Sequence, residues 1–352
     1  MKKSLVLLTA VTALALTSCS NDEVIDSQAP MAIGFDSFVG KTTRATDASK
    51  TNMQYINVYG YIGDATPAKI FDGTQVKNGN NAWTYSPLQY WIAGKNYFFT
   101  AVGSPVAQVN RKYSYTWVGD ADLPRTTDNF HGTGTIAMDN AAANGNEDVV
   151  YAYATKTTPD AITADPGKVD FEFHHALSRV KFTFRNAMES SSYSINVKDV
   201  SIVNAFSNGN MTLGVQSPEW TNQSGPATLK MDNNNFITKG PAALGNDVVS
   251  ATKFIIPGTC TLKISFTVDL MVNGIVVATY NHTSQPLTAE DMAFVPGHSY
   301  NFVASLNPKN IDPDNQMFPI EFNVTSVDVW EEEADKTVTL PEKKDPEETP
   351  GA

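Results

Sequence analysis

Through most of the chain apolar and polar residues alternate in short runs closed by Gly, Pro, Asn, Asp or Ser, and no apolar stripe of helical period is sustained. A period of two puts every second side chain on one face, as a half-buried strand requires. On that pattern strands are predicted over 32–38, 54–62, 97–102, 149–155, 169–173, 178–184, 195–203, 253–256, 262–271, 275–280, 300–306 and 320–329. Asn273-Gly274, between two of these runs, marks a hairpin, because both residue types accept the positive φ of a tight connection. Many short strands at this spacing predict an all-β fold of mostly antiparallel strands, built as β-sandwiches.

The densest alternation runs from Phe171 to Phe184. Phe171 and Phe173 share a face, Val180, Phe182 and Phe184 do so again, and Arg179, Lys181 and Thr183 take the opposite one. Residues 186–194 are polar and serine-rich, so a domain boundary is expected there. At roughly 100–200 residues per domain, the chain divides into β-sandwich domains over 45–188 and 189–333. An acidic, Pro-rich tail over 334–352 has too little apolar content to fold alone.

The first residues break the pattern. Lys2 and Lys3 precede an uncharged apolar run, 5–16, which Thr17 and Ser18 close directly before Cys19. A positive start, a short apolar stretch and a small-residue end make a secretory signal over 1–18. The run falls short of the about 20 apolar residues that a spanning helix needs. Leu16-Thr17-Ser18-Cys19 resembles the lipobox of bacterial lipoproteins, in which the signal is cut before a cysteine that then carries acyl chains. That resemblance implies attachment to the outer membrane through lipid on Cys19, since buried methylenes contribute about 0.8 kcal/mol each. Ser20-Asn21-Asp22-Glu23 is similar to the acidic export signal of lipoproteins in Bacteroides-type bacteria, and it also reads simply as a solvated leash.

Charge and side-chain chemistry narrow the function. The formal charge is −12, and loss of 1–18 leaves 23 basic against 37 acidic side chains, a charge of −14. Phosphate binding needs a basic face, so nucleic acid is not expected as a partner. With Cys19 lipidated one cysteine, Cys260, remains and no intramolecular disulfide can form, so stability rests on apolar burial. Of the five histidines, His131, His174, His175, His282 and His298, only His174 and His175 adjoin. Neighbours on a strand face opposite ways, so one packed and one solvated residue is expected rather than a metal pair. Gly132-Thr133-Gly134 lacks the lysine of a phosphate loop and reads as a turn. Glu331, Glu332 and Glu333 read as a solvated charge run, and Cys260 as a buried apolar-like residue. No catalytic residue, metal or cofactor is expected. Tyr113, Tyr115 and Trp117 put three rings on one strand face, with core filling preferred and a platform for sugars or peptides as the rival.

His174-His175-Ala176-Leu177-Ser178-Arg179-Val180 is similar to the His-Ala-Leu-x-Lys-Val signature of fimbrillin-family lipoproteins, the type V pilus subunits of Bacteroides-type bacteria. Further pieces agree in order. They are Ile33-Gly34-Phe35 with Thr43-Arg44, Trp83-Thr84-Tyr85-Ser86-Pro87 leading to Tyr90-Trp91, Tyr97-Phe98-Phe99, Val295-Pro296-Gly297-His298-Ser299-Tyr300, and a closing strand ending at Trp330. The resemblance implies two tandem transthyretin-like sandwiches, export to the cell surface and assembly by strand exchange. It implies a cut by an arginine-specific protease between Arg44 and Ala45, in a small, polar loop of the kind proteases enter. The cut frees a lipidated leader, 19–44, whose displaced strand carries Ile33, Phe35 and Phe38. A strand of another pilus subunit then fills the open groove by β-augmentation, and the head-to-tail contact propagates as a filament.

The donated strand has two candidates. Ile320, Phe322 and Val324 alternate cleanly, and that segment reads either as a donor or, preferably, as the last strand of its own domain. In the tail only Val338 and Leu340 alternate. The expected function is a structural or adhesive pilus subunit in contact with other subunits and with a host or bacterial surface ligand. The alternative is a monomeric, surface-anchored glycan- or protein-binding lipoprotein that needs no cut.

Overall fold

In chain order the strands of the first half are β1 (Phe35–Val39), β2 (Tyr55–Ile62), β3 (Ala68–Gly79), β4 (Ala82–Thr84), β5 (Asn96–Gly103), β6 (Tyr113–Gly119), β7 (Gly132–Asp139), β8 (Val150–Thr157) and β9 (Val169–His175). A helical turn, α1 (Asn140–Ala143), follows β7, and Asp139 Oδ1 caps it by accepting from Ala142 N at 2.9 Å. Next come β10 (Ser178–Asn186), β11 (Tyr193–Ala205), β12 (Asn208–Leu213), β13 (Glu219–Ser224), β14 (Ala227–Lys230), β15 (Ala242–Ala243), β16 (Asp247–Val249) and β17 (Lys253–Ile255). The series ends with β18 (Gly258–Cys260), β19 (Lys263–Val272), β20 (Ile275–Pro286), β21 (Met292–Phe294), β22 (His298–Leu306) and β23 (Phe322–Val329). The computed structural model describes residues 31–39, 48, 52–63, 68–79, 82–119, 132–161, 166–213, 219–231, 236, 238, 240–287, 292–315, 320 and 322–329. Cys19, Arg44, Ala45, His131, Glu331, Val338 and Leu340 lie outside the described residues.

Every predicted run contains a strand, and the fold is all-β as expected. A seven-stranded sheet has the order β1-β9-β8-β5-β2-β3-β4, antiparallel except where β1 joins β9. Alternation assigns its faces. Ile56, Val58, Phe99, Ala101, Val150 and Ala152 enter one core with Phe71, Val169, Phe171 and Phe173. Val102, Tyr151 and Tyr153 face the other way, against a four-stranded sheet of order β13-β12-β7-β6. The larger sheet curls until its ends meet, and Ala32 bridges to Tyr90 just beyond β4.

A further core, with Phe182, Phe184, Ile202, Ile264, Phe266 and Phe302, belongs to two more sheets. One has the order β16-β10-β22-β23 with β17 beside β10, and the other β14-β11-β19-β20 with β15 beside β11. Strand pairing runs across residue 188 in both directions. β10 lies parallel to β22, far along the chain, whereas β12 pairs antiparallel with β7. Lys253, buried beside β10, reinforces the join by donating to Asn144 O at 2.8 Å and to Asn146 Oδ1 at 2.6 Å.

Two segments differ from the reading of the sequence. Gly132-Thr133-Gly134 is the start of β7, not a turn, and it pairs with Trp117, Val118 and Gly119 of β6. A Cβ at Gly134 would collide with Tyr115 Oη and lie 2.9 Å from Trp117 Cε3, so the glycine makes room for cross-strand rings. β20 continues past residue 280 to Pro286 although its second half is polar.

His282 anchors that polar half. It is 1% exposed, its ring stacks on Phe266 with centroids 4.6 Å apart, and Nε2 donates to Ile311 O at 2.9 Å. Burial holds its pKa below the ordinary 6.5. A second proton would sit on Nδ1, which is buried without a hydrogen-bond partner. The unfolded chain therefore takes up this proton before the folded one as pH falls. Stability from this residue should be complete above pH 6.5 and decline as pH drops from there towards the lower folded value. Melting temperatures taken between about pH 7.5 and 5 check this against H282Q, in which the decline should flatten. An equal decline in both proteins would contradict it.

Candidate functional site

Ile33-Gly34-Phe35 opens the described chain, and its period of two turns Ile33 and Phe35 into the first core, where each is 1% exposed. Backbone bonds hold the segment on both sides. On one, Phe35 lies opposite Val169 and Val39 opposite Phe173 of β9, with Val169 N donating to Gly34 O at 2.8 Å. On the other, Ile33 N donates to Gln89 O at 2.8 Å and Trp91 N to Met31 O at 3.0 Å. The segment thus closes the curled sheet. Phe38 belongs to the same strand, opposite Glu172.

Four rings surround Phe35. Phe171 stacks on it at 5.7 Å and 11°, while Phe71, Tyr85 and Phe99 meet it edge-on at 5.3, 5.5 and 5.9 Å. Tyr85 also donates its hydroxyl to Ile33 O at 2.8 Å and accepts from Gln89 N at 3.2 Å. One tyrosine therefore reads the backbone at 33 and the side chain at 35. Burial raises its pKa above 10.0, which keeps the phenol a donor. Burying Ile33 and Phe35 contributes about 1.5–3 kcal/mol each. Because β1 is terminal in the sheet, its removal would uncover the pairing groups of β9 together with Val169, Phe171 and Phe173.

Beyond 40–47 the next described residue, Ala48, is fully buried. Its N–H donates to Asp148 Oδ2 at 2.6 Å. His175 Nδ1 approaches the same carboxyl group, 3.1 Å from Oδ1 and 3.0 Å from Oδ2. Asp148 is 0% exposed, so this acceptor has no water to replace its partners. His175 is the packed histidine of the adjacent pair and His174 the half-buried one, tilted against Tyr151 at 5.7 Å. Asp148→Ala should lower stability by about 1–3 kcal/mol, because Ala48 N–H loses a buried acceptor. A urea midpoint unchanged from the parent would refute this.

The remaining candidates separate by location. Trp83 and Trp91 are buried in the first core, with Trp91 edge-on to Tyr97 at 4.7 Å. Tyr90 is exposed, together with Leu88 and Ile92. Tyr113, Tyr115 and Trp117 face inward: Tyr115 meets Tyr59 at 4.9 Å and Trp117 meets Tyr61 at 6.2 Å. Phe322 and Val324 sit in β23, paired with Ala304 and Phe302 of β22, and Ile320 is 3% exposed in the last core. Cys260 is buried there too. Among the described residues no three His, Cys, Asp or Glu side chains are grouped to hold a metal ion.

The roles of Tyr85 and Asp148 were not read from the sequence. Tyr85 stands out only as one of several aromatics. Asp148 lies 100 residues from Ala48, a separation that no local pattern records.

A family model described as fimbrillin-like matches residues 43–325. No curated protein matches the sequence. Among solved structures, a fimbrial protein from Bacteroides vulgatus is 14% identical, with 85% of this chain and 99% of that one covered, and a TM-score of 0.58. That likeness bears on the fold. A candidate cell adhesion protein from Bacteroides ovatus is 13% identical over 87% of this chain and 100% of its own, with a TM-score of 0.47. The fimbrial anchor protein Mfa2 from Porphyromonas gingivalis is 11% identical over 86% of this chain and 98% of its own, with a TM-score of 0.38.

Proposed function

The chain belongs to the fimbrillin-like family, and from that premise we propose that it is a structural or adhesive pilus subunit, exported as a lipoprotein and activated by a cut after Arg44. In this reading lipid on Cys19 holds the precursor at the outer face of the outer membrane. An arginine-specific protease then separates 19–44 from the rest, and a strand of another subunit replaces 31–39.

One observation carries the reading: an apolar segment at the edge of a sheet seats Ile33 and Phe35 in a core, yet joins the rest of the fold through the segment that contains Arg44. Before the cut, the tether gives the strand an effective concentration of order mM, which a dilute competitor does not overcome. After the cut the same strand is one ligand among others. The Asp148 carboxyl group holds Ala48, so the new terminus beginning at Ala45 stays attached close to the fold. Strand replacement needs no catalytic side chain, because main-chain bonds and alternate side-chain pockets supply the affinity. The inward packing of Tyr113, Tyr115 and Trp117 argues against a ring platform, one of the supports of the monomeric binding alternative beside Cys19 and the acidic leash.

The experiment is treatment of the purified mature protein with an arginine-specific protease, followed by N-terminal sequencing and sizing at several concentrations. The expected result is a new terminus at Ala45 and oligomers whose size grows with concentration. A cut at this position that leaves only monomers would overturn the proposal.

A further inference from the structure

Resting on the reading that 31–39 leave the fold, we propose that the vacated seat selects a strand from a different subunit bearing the order aliphatic, small, aromatic, and that the aromatic position decides which strand is accepted. Three adjacent features of the seat argue for this order. At position 33 the aliphatic side chain enters the first core, while its carbonyl is read by the Tyr85 hydroxyl. At position 34 a Cβ would lie 3.2 Å from Lys168 Cγ, tighter than ordinary contact, so a small residue fits and a bulky one displaces the lysine stem. At position 35 the pocket wall consists of Phe71, Tyr85, Phe99 and Phe171.

Ring-lined walls discriminate by shape and by quadrupole. An aromatic guest gains edge and face contacts beyond its buried area, which an aliphatic side chain of similar volume does not. Ile264-Ser265-Phe266 matches the order but lies in β19, held between β11 and β20. Two segments nearer the C-terminus resemble the order, and each departs from it. Ile320-Glu321-Phe322 carries glutamate at the tight position, and Ile320 is already buried in its own core. Val338-Thr339-Leu340 has a smaller middle residue but offers leucine to the ring pocket. Apart from the leader itself, a strand from a second copy of this chain is therefore the poorer guest, and a foreign subunit the better one.

The test uses the full mature chain, cut after Arg44, unfolded in urea and refolded with an excess of fluorescein-labelled peptide. The peptides are residues 31–39, its F35L, F35A and G34L variants, and residues 318–326 and 336–344. Retention of the 31–39 peptide should exceed that of F35L about fivefold and that of F35A by more, since each aromatic pair contributes about 1 kcal/mol beyond area. G34L and the two C-terminal peptides should also be retained several-fold less. Equal retention of F35L, or better retention of either C-terminal peptide, would overturn the proposal. A parallel incubation without urea separates the two ideas: if no peptide displaces the leader there, strand replacement fails while the refolding series still ranks the guests. Hydrogen exchange of the Phe35–Val39 amides in intact F35L against the parent gives the same ranking without a cut, and undiminished protection would count against the pocket.

Discussion

Replacing Phe35 with alanine should loosen the opening strand of the uncut protein by about 3–5 kcal/mol. The side chain fills a space walled by four rings on four separate segments, and strands pinned in a curled sheet cannot all move inward to close the void. Because β1 is an edge strand with one strand neighbour in its sheet, the loss is expected to appear as local opening rather than as collapse of the whole protein. Hydrogen exchange of the amides in Phe35–Val39 measures it. Their protection should fall by about two to four orders of magnitude, while amides around Phe182 and Phe302, in the other core, keep theirs. Unchanged protection of β1 would show that its seat does not depend on the ring pocket.

The second large effect concerns assembly. Arg44→Ala should abolish the protease-induced oligomers while leaving the fold intact. In the variant the leader stays tethered, at an effective concentration of order mM, against competitor strands at micromolar levels. That ratio of about a thousand corresponds to roughly 4 kcal/mol in favour of the resident strand. Mass photometry of parent and variant after identical protease treatment reads the outcome. Oligomers that form equally in the variant would show that the cut after Arg44 has no part in assembly.

The two effects are linked through the same nine residues, 31–39. In the proposed pathway, tight seating would prevent an exposed apolar edge before the cut, and the same seating would make release slow once the tether is gone. Exchange with a competing strand, rather than simple loss, would keep the apolar groove covered throughout. The bond from Ala48 N to Asp148 would confine such a change to the leader side of that residue.

Much of the fold was legible from alternation. The runs around Phe98, Ala152, Phe182 and Phe302 became strands because a period-two apolar pattern has one way to bury its apolar face. β3 was not legible, since Phe71 and Val76 are its fully buried apolar members within twelve residues. Its polar positions face water on a strand held by pairing with β2. Gly132-Thr133-Gly134 misled for a related reason: glycine signals a turn locally, but here it answers to rings on the neighbouring strand.

The amino-acid sequence by itself determined many of the strands, that Ile33 and Phe35 share a face, and which family the chain resembles. These are local properties, written in the spacing of side chains along a few residues. Tertiary structure alone decided that β1 runs parallel to β9, that Tyr85 spans two positions of the leader strand, and that Ala48 and His175 both meet Asp148. Those contacts join residues from tens to more than a hundred positions apart. Strand order depends on how whole sheets share their buried faces, a balance that no short stretch of chain carries.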